Sequence, residues 1–520
     1  MTFCRTAALD RIKQTTDWDI VIIGGGATGL GIAVDAASRG YRTLLLEKHD
    51  FAKGTSSKST KLVHGGVRYL AQGNVKLVYG ALRERGLIFQ NAPHVSFVQS
   101  FVIPTYSLWD KWKFIIGLKL YDWMAGSLRI GKSVIRNKQE VLSMLPTLQP
   151  KGLLGGIQYF DGQFDDARLA INLAQTAAEH GATLLNYADV INITKNKQSY
   201  VSGLSFTDRT TQQSYTISAK AVINATGVFV DDILKMDSPS HTNLVRPSQG
   251  THIVIDKHFL GDKDALMIPK TSDGRVLFGV PWHDKVLLGT TDTPLEQHQI
   301  EPKPLEEEID FILKTASQYL TQAPQRKDIR TIFAGLRPLA APTKDKQSTK
   351  EISRDHKLIQ SSSRMITITG GKWTTYRKMA EETVDLAVKT ARLPEQPCQT
   401  KHLPIHGATS TRYEGHWQVY GDDYPRIVEL MQTHPSSAEK LHPDYDFRMA
   451  EVIWACQHEM VVKLEDFLAR RIRFLLLDAK ASLEAAPKVA KLMAEQLGKD
   501  EQWIAAELSD YQELVETYIV

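Results

Sequence analysis

Along residues 18–47 apolar positions run unbroken, stop at a cluster of glycines, resume in a helical stretch and end in a second apolar run. Asp19-Ile-Val-Ile-Ile predicts a buried strand, Gly24-Gly-Gly26-Ala-Thr-Gly29 a tight turn into a helix reaching Gly40, and Tyr41 to Glu47 a second strand. Residues 74–91 place Val75, Val78, Leu82 and Leu87 at helical spacing among charges. Asp166 to His180 repeats that pattern and closes at Gly181. Residues 183–225 alternate in a strand-like way and end in Asn224-Ala-Thr226-Gly227. Further strands are expected at 250–256, 275–280 and 286–291. Ile332 to Pro338 and Met365 to Lys372 read as two more strand-to-turn corners, and 374–391 as a helix. From 411 onward the pattern is almost wholly helical, with amphipathic segments at 446–459, 463–478 and 484–497, and predicts a separate C-terminal bundle. Residues 1–17 read as a polar lead-in.

A chain of 520 residues suggests roughly two to four domains. A net charge of +4 is small for this length and gives no case for nucleic acid, which requires a dense basic face. The three cysteines, Cys4, Cys398 and Cys456, lie far apart with no metal or redox spacing, which fits a reducing compartment. No metal site is expected. The first residues lack the apolar run of a secretory signal, and no stretch of about 20 uncharged apolar residues predicts a spanning helix. Residues 108–124 complicate a purely soluble reading. Three tryptophans, a tyrosine and three lysines mix with aliphatics, which suits a membrane surface as well as a core-packed helix with a charged outer face.

The opening unit carries specific chemistry. Gly24 allows the turn, Gly26 lets the backbone approach a pyrophosphate, and Gly29 lets the helix pack close to the strand. Glu47 ends the second strand, where a carboxylate accepts from a ribose diol. Strand, glycines, helix, second strand and terminal acid together predict a dinucleotide site. Lys53 to Lys61 is rich in hydroxyls and cations and leads into His64-Gly65-Gly66-Val-Arg68-Tyr69. Arg68, Arg337 and Lys372 each follow a glycine-bearing corner, so each could converge on one face. Arg354 is a further cation. The basic stretch Arg470-Arg471-Ile-Arg473 reads by default as a solvated face, with an inter-domain, dimer or acidic-lipid contact as alternatives.

With the glycine turn, Glu47, HGG-x-RY at 64–69, Asn224 to Gly227, Gly335-x-Arg337-Pro338 and GGK-x-TTYR at 370–377 in hand, the chain resembles the FAD-dependent, membrane-associated, quinone-linked glycerol-3-phosphate dehydrogenases over essentially its full length. The HGG-x-RY and GGK-x-TTYR blocks are far more specific than the glycine turn. The resemblance implies an α/β, two-domain flavoprotein. Its D-amino-acid-oxidase-like, Rossmann FAD-binding domain is non-contiguous, with a β-rich substrate or cap domain and a C-terminal helical domain. The oxidoreductase domain would span 18–392, with FAD-binding pieces near 18–94, 159–245 and 332–392 and cap pieces near 95–158 and 246–331. A linker at 393–410, containing Pro394, Pro397 and Pro404, would lead to the helical domain at 411–520.

The implied reaction is oxidation of sn-glycerol 3-phosphate at C2 to dihydroxyacetone phosphate. Hydride passes to flavin N5, and electrons pass to a membrane quinone at a cytoplasmic-face lipid surface of the inner (plasma) membrane. FAD contacts are expected from Gly24, Gly26, Gly29, Glu47, Thr55, Ser56, Ser57, Lys61, His64, Gly65, Gly66, Thr226, Gly227, Gly335, Gly371 and Thr374. A dianionic phosphate calls for guanidinium and ammonium groups. Arg337 and Lys372 are the strongest by resemblance, beside Arg68, Tyr69 and Arg354. Arg337 is also expected at the reacting centre. The base for the hydroxyl proton is His252 or His64; a neutral imidazole suits either. Where the family pattern carries Lys before the glycine preceding His252, this chain has Gln249, which would throw more of the phosphate onto Arg337 and Lys372. A homodimer through the C-terminal helices is an option. Two alternatives stay open: a flavin oxidase of the same fold that uses oxygen, acting on glycerol 3-phosphate or an amine, and a non-catalytic nucleotide-binding regulator. NAD in place of FAD is disfavoured because no nicotinamide-side motif follows the first turn.

Overall fold

The computed structural model describes residues 3–66, 74–271, 274–340 and 356–520. The lead-in is not a bare polar arm, since Arg5–Gln14 form helix α1, which buries Ala8 and Ile12. The opening crossover follows: β1 (Trp18–Ile23), α2 (Ala27–Ser38) and β2 (Thr43–Leu46). The chain then enters β3 (Leu62–Val63), α3 (Val75–Asn91), β4 (Ser96–Thr105), α4 (Leu108–Ala125), β5 (Val134–Arg136), α5 (Lys138–Met144) and β6 (Gly155–Phe164). It returns through α6 (Asp166–Glu179), β7 (Thr183–Leu185), β8 (Ala188–Lys195), β9 (Val201–Asp208), β10 (Ser214–Asn224) and α7 (Val230–Asp237). A second excursion builds β11 (Val245–Asp256), β12 (Asp264–Ile268), β13 (Leu277–Trp282), β14 (Lys285–Gly289), β15 (Thr293–Pro294), α8 (Glu306–Tyr319) and β16 (Ile329–Ala340). Next come β17 (His356–Gln360), β18 (Ile366–Gly370) and α9 (Tyr376–Ala391). The C-terminal region holds α10 (Tyr424–Thr433), a hairpin of β19 (Lys440–His442) and β20 (Tyr445–Arg448), α11 (Met449–His458), α12 (Phe474–Leu477), α13 (Ala479–Leu497) and α14 (Glu501–Glu516).

The first sheet runs β17-β18-β10-β1-β2-β7, with β9 and β8 continuing from β10. β18, β10, β1, β2 and β7 are parallel, and Ile23 registers with Asn224 on one side and Leu46 on the other. Parallel strands are covered on both faces, which is why β1 is apolar at successive positions. Ile20 and Ile22 pack under α2, α6 and α9. Val21 and Ile23 face the opposite layer with α1, α7 and the β8–β10 meander. The turn into α2 is tight enough to demand glycine. Gly24 has φ +111°, and a Cβ on Gly29 would sit 1.9 Å from the Gly24 carbonyl oxygen.

The second sheet runs β15-β11-β14-β13-β12-β4-β6-β3, with β16 on β11 and β5 on β6. It is fed by both expected inserts, but two boundaries differ from the sequence reading. β16 pairs with β11 from Val245–Ala340 down to Ile255–Ile329, so residues up to 340 belong to the cap sheet rather than to the FAD-binding piece assigned from 332. β6, entered at Gly155, is likewise a cap strand throughout. The corner expected at Ile332 to Pro338 is instead the middle of a continuous strand, because pairing with β11 carries the backbone through Gly335 and Pro338.

The C-terminal helices are not a separate bundle. Their core joins Val254, Trp282, Leu287 and Phe333 of the second sheet to Leu464, Phe467, Leu475, Val489 and Tyr511 in one apolar cluster. The basic stretch at 470–473 is buried rather than solvated. Arg471 pairs with Asp50, Arg470 with Asp50 and Asp466, and Arg473 with Asp165. It is an inter-domain contact within the chain. Among the described residues no helix is long and apolar enough to cross a membrane, and no cluster of possible metal ligands occurs.

Candidate active site

A cavity of about 760 Å3 opens between the two sheets at the carboxyl ends of β1, β10 and β18. This is where open α/β sheets take their ligands. One end is lined by Gly24, Gly26, Ala27, Thr28 and Glu47. Glu47 receives the Gly25 amide on Oε2 at 2.6 Å and the His49 amide on Oε1 at 2.8 Å. Burial pushes its carboxyl upward and those two amides pull it back, the first effect being larger. A side chain at Gly26 would crowd Ser56 Oγ at 3.0 Å, and that hydroxyl accepts from the Ala27 amide at 2.9 Å. The hydroxyl-rich loop therefore closes over the N-terminus of α2 and leaves room there for backbone-to-phosphate contact.

Thr55, Ser56, Thr226, Gly227, Gly371, Thr374, His64 and Gly66 all line the cavity, as does Gly335. Four expected contacts lie behind the wall. Lys61 is fully buried, its Nζ donating to Asp166 Oδ1 at 2.8 Å and Oδ2 at 2.9 Å and to the Ser57 carbonyl at 2.5 Å. It ties the loop to the start of α6, and a lysine inside a hydroxyl-rich loop does not reveal from sequence that its partner is an internal carboxylate. Ser57 is buried on the same side. Gly29 sets the strand–helix distance, and Gly65 packs against α3 and α4. Arg68, Tyr69 and Arg354 lie outside the described residues.

The other end of the cavity meets the cap sheet. Arg337 lies within β16 rather than after a turn, opposite Ser248 on β11. Its guanidinium donates to the carbonyls of Gln249 at 3.2 Å and Thr291 at 3.0 Å and to Thr290 Oγ1 at 3.0 Å, and lies 3.4 Å from Asp292. These oxygens fix the fork in one orientation at the cavity wall. Lys372, from the corner after β18, lines the same cavity. Gln249 does not: its amide donates to Glu308 Oε2 at 2.7 Å and to the Lys303 carbonyl at 3.0 Å. Glu308 also takes the hydroxyls of Thr251, Thr291 and Thr293. Burial alone would raise its carboxyl, but these bonds outweigh it and hold it below its ordinary value. The carboxylate thus braces the strands that carry Arg337's carbonyl partners.

His252 lies on β11 beside that fork, stacks on Phe333 at 5.1 Å, and meets Thr60 Oγ1 through Nε2 at 2.9 Å. Burial, then the charges of Arg337 and Lys61, push its imidazole well below the usual range, so it is neutral near pH 7. Thr60 lines the cavity, and in sequence nothing sets it apart from the other hydroxyls of its segment. Phe101, Tyr159, Met267 and Phe278 form an apolar wall and Asp161 one polar point on it. None stands out in sequence, because each lies in an ordinary alternating strand.

The glycine-cleared helix end, the half-buried acid after the second strand and the apolar wall suit a flavin dinucleotide. Residues 19–377 match the family described as FAD dependent oxidoreductase. The chain belongs to that family. FAD is its cofactor, and Glu47, the α2 N-terminus and the Thr55–Ser56 turn are the residues that would hold the nucleotide half. In this flavoprotein residues 361–504 match a second family, the C-terminal domain of alpha-glycerophosphate oxidase. Two curated relatives are similar over nearly the whole chain. The glycerol-3-phosphate dehydrogenase, mitochondrial, of Schizosaccharomyces pombe is 37% identical, covering 98% of this chain and 89% of that one. The Homo sapiens protein of the same name is 38% identical, covering 96% and 73%. Among solved structures, the glycerol-3-phosphate dehydrogenase of Bacillus halodurans complexed with FAD superposes with a TM-score of 0.81 at 28% identity, covering 99% of this chain and 97% of that one.

Proposed function

We propose that the protein oxidises sn-glycerol 3-phosphate to dihydroxyacetone phosphate and passes the electrons to a membrane quinone. The observation that carries this reading is the Arg337 fork, held by three oxygens at the cavity wall, with His252 beside it and Lys372 lining the same cavity. A fixed guanidinium with an ammonium suits a phosphate dianion, and a neutral imidazole nearby suits uptake of the C2 hydroxyl proton. Bound FAD supplies the hydride acceptor. The names of the relatives favour this substrate.

A lipid-surface location is supported by α4. Its inner face is buried through Ile115, Leu118, Tyr121 and Met124, while Trp109 is 78% exposed and Trp123 77%, with Trp112, Ile116 and Leu120 also exposed. Exposed tryptophans beside Lys113 and Lys119 suit the headgroup layer. An oxygen-using reading is favoured by one observation, the C-terminal match to alpha-glycerophosphate oxidase. Anaerobic mixing with glycerol 3-phosphate should bleach the bound flavin, and a flavin that stays oxidised would refute the substrate. Peroxide yield with and without quinone separates the two acceptors. Flotation with anionic vesicles should carry the protein upward, and unchanged soluble recovery would remove the membrane assignment.

A further inference from the structure

We propose that Tyr121 is a positioning residue for the flavin site, fixing the His64–Gly65 peptide that runs along the cavity. This inference rests on the reading of the cavity as the FAD site. The Gly65 amide donates to Tyr121 Oη at 2.8 Å, and that hydroxyl donates in turn to Asp161 Oδ2 at 2.6 Å. Asp161 Oδ1 receives Arg85 Nη1 at 2.9 Å. On the other side of the peptide, Thr374 Oγ1 donates to the His64 carbonyl at 3.4 Å. The plane is therefore held from two directions, by α4 and by the corner after β18. His64 and Gly66, the residues flanking the held amide, both line the cavity.

Position 65 accepts no side chain for the same reason. A Cβ there would lie 2.5 Å from both Tyr121 Oη and Leu82 Cδ2, so the amide reaches the phenol only because residue 65 is glycine. Burial first, then the Asp161 carboxylate, raise the Tyr121 phenol well above its usual range, which keeps the hydroxyl protonated and donating toward Asp161. Arg85 lies over the Tyr121 ring at 5.9 Å, and both side chains are buried. A buried chain of this kind, with each member paired, sets position more firmly than a single bond.

The test compares Tyr121→Phe, which removes one oxygen and keeps the ring, with Tyr511→Phe. Tyr511 is equally buried and loses a hydroxyl bonded to Ser482 among the C-terminal helices. In the apoprotein, hydrogen exchange of the 64–66 amides should quicken about tenfold in Tyr121→Phe and stay unchanged in Tyr511→Phe. In the flavin-loaded enzyme, the visible flavin band and the reduction potential should shift in Tyr121→Phe alone, and kcat with a soluble dye acceptor should fall about tenfold at unchanged KM. Asp161→Asn keeps an oxygen for the Tyr121 hydroxyl and should shift the band less. Unchanged exchange and an unchanged band in Tyr121→Phe would overturn the proposal, as would equal shifts in Tyr511→Phe. Because the exchange measurement needs no flavin, its failure is distinct from a wild-type protein that does not take up FAD.

Discussion

Arg471 and Asp50 meet face to face between the C-terminal helices and the nucleotide-binding sheet, Nη1 to Oδ2 at 2.7 Å and Nη2 to Oδ1 at 3.0 Å, both side chains fully buried. Asp50 lies three residues beyond Glu47, so the pair anchors the loop that closes the dinucleotide end. Burial alone would raise the Asp50 carboxyl, but Arg471 and then Arg470 hold it well below its ordinary value. Removing one partner leaves a charge without compensation, at a cost of about 3–5 kcal/mol. Arg471→Met should therefore lower the urea-unfolding free energy by about 3 kcal/mol, with Arg470 retaining part of the interaction. A loss below about 1 kcal/mol would show the ion pair to be incidental.

Glu47→Gln should loosen the cofactor. Both carboxylate oxygens accept backbone amides, from Gly25 and His49. A carboxamide presents one oxygen and one NH2 to those same two donors, so one N–H faces another and the turn must shift. The flavin-to-protein absorbance ratio after gel filtration should fall at least severalfold, by analogy with the ~1–3 kcal/mol cost of a broken buried hydrogen bond. Full flavin retention would sink the assignment.

The opening crossover was legible because every level of the sequence agreed on it: apolar run, glycines, helix and terminal acid. The corner after β18 was legible too, since Gly370 and Gly371 both take positive φ where the strand ends. The fate of Arg337 was not. Its motif read as a corner, yet β16 continues through it to Ala340, because the pairing with β11 depends on residues almost a hundred positions away. Lys61 and Arg471 failed for a related reason. A cation's position in sequence says nothing of whether Asp166 or Asp50 awaits it inside, and surface charge is the usual outcome. For residues 108–124 the spacing was sound for a helix but mute on orientation, and the tertiary contacts decided which face became α4's buried one.

His252→Ala should abolish most turnover and keep the flavin. The imidazole lines the cavity, with Thr60 at 2.9 Å and Arg337 among the charges that depress its basicity. General acid–base contributions are about 10²–10⁴-fold, so kcat should drop by about 100-fold or more while the flavin absorbance persists. The depressed pKa also has a sign. A histidine that is already neutral through the physiological range gives no limb in kcat/KM at its ordinary value of about 6.5. A pH profile that rises through that region in the wild type and loses the rise in His252→Ala would contradict the assigned neutral state. Near-normal turnover would exclude His252 as the base and leave His64.

His406 should make stability fall on the alkaline side. It lies in the linker and bridges two carboxylates, Glu179 at 2.5 Å through Nδ1 and Asp423 at 2.8 Å through Nε2, joining α6 to the start of the C-terminal region. Burial by itself would lower its pKa, but the two acids raise it to about 9. The folded value thus exceeds the unfolded one of about 6.5, so the folded state holds the proton more tightly. The stabilisation is complete below about pH 6.5 and disappears as pH climbs through 9. The interval corresponds to at most about 3 kcal/mol, reduced to about 2 because the Glu179 side chain is half exposed. Unfolding free energies of wild type and His406→Gln should differ by about 2 kcal/mol at pH 6 and converge by about pH 10. A gap that stays constant across that range would mean that His406 contributes packing rather than charge.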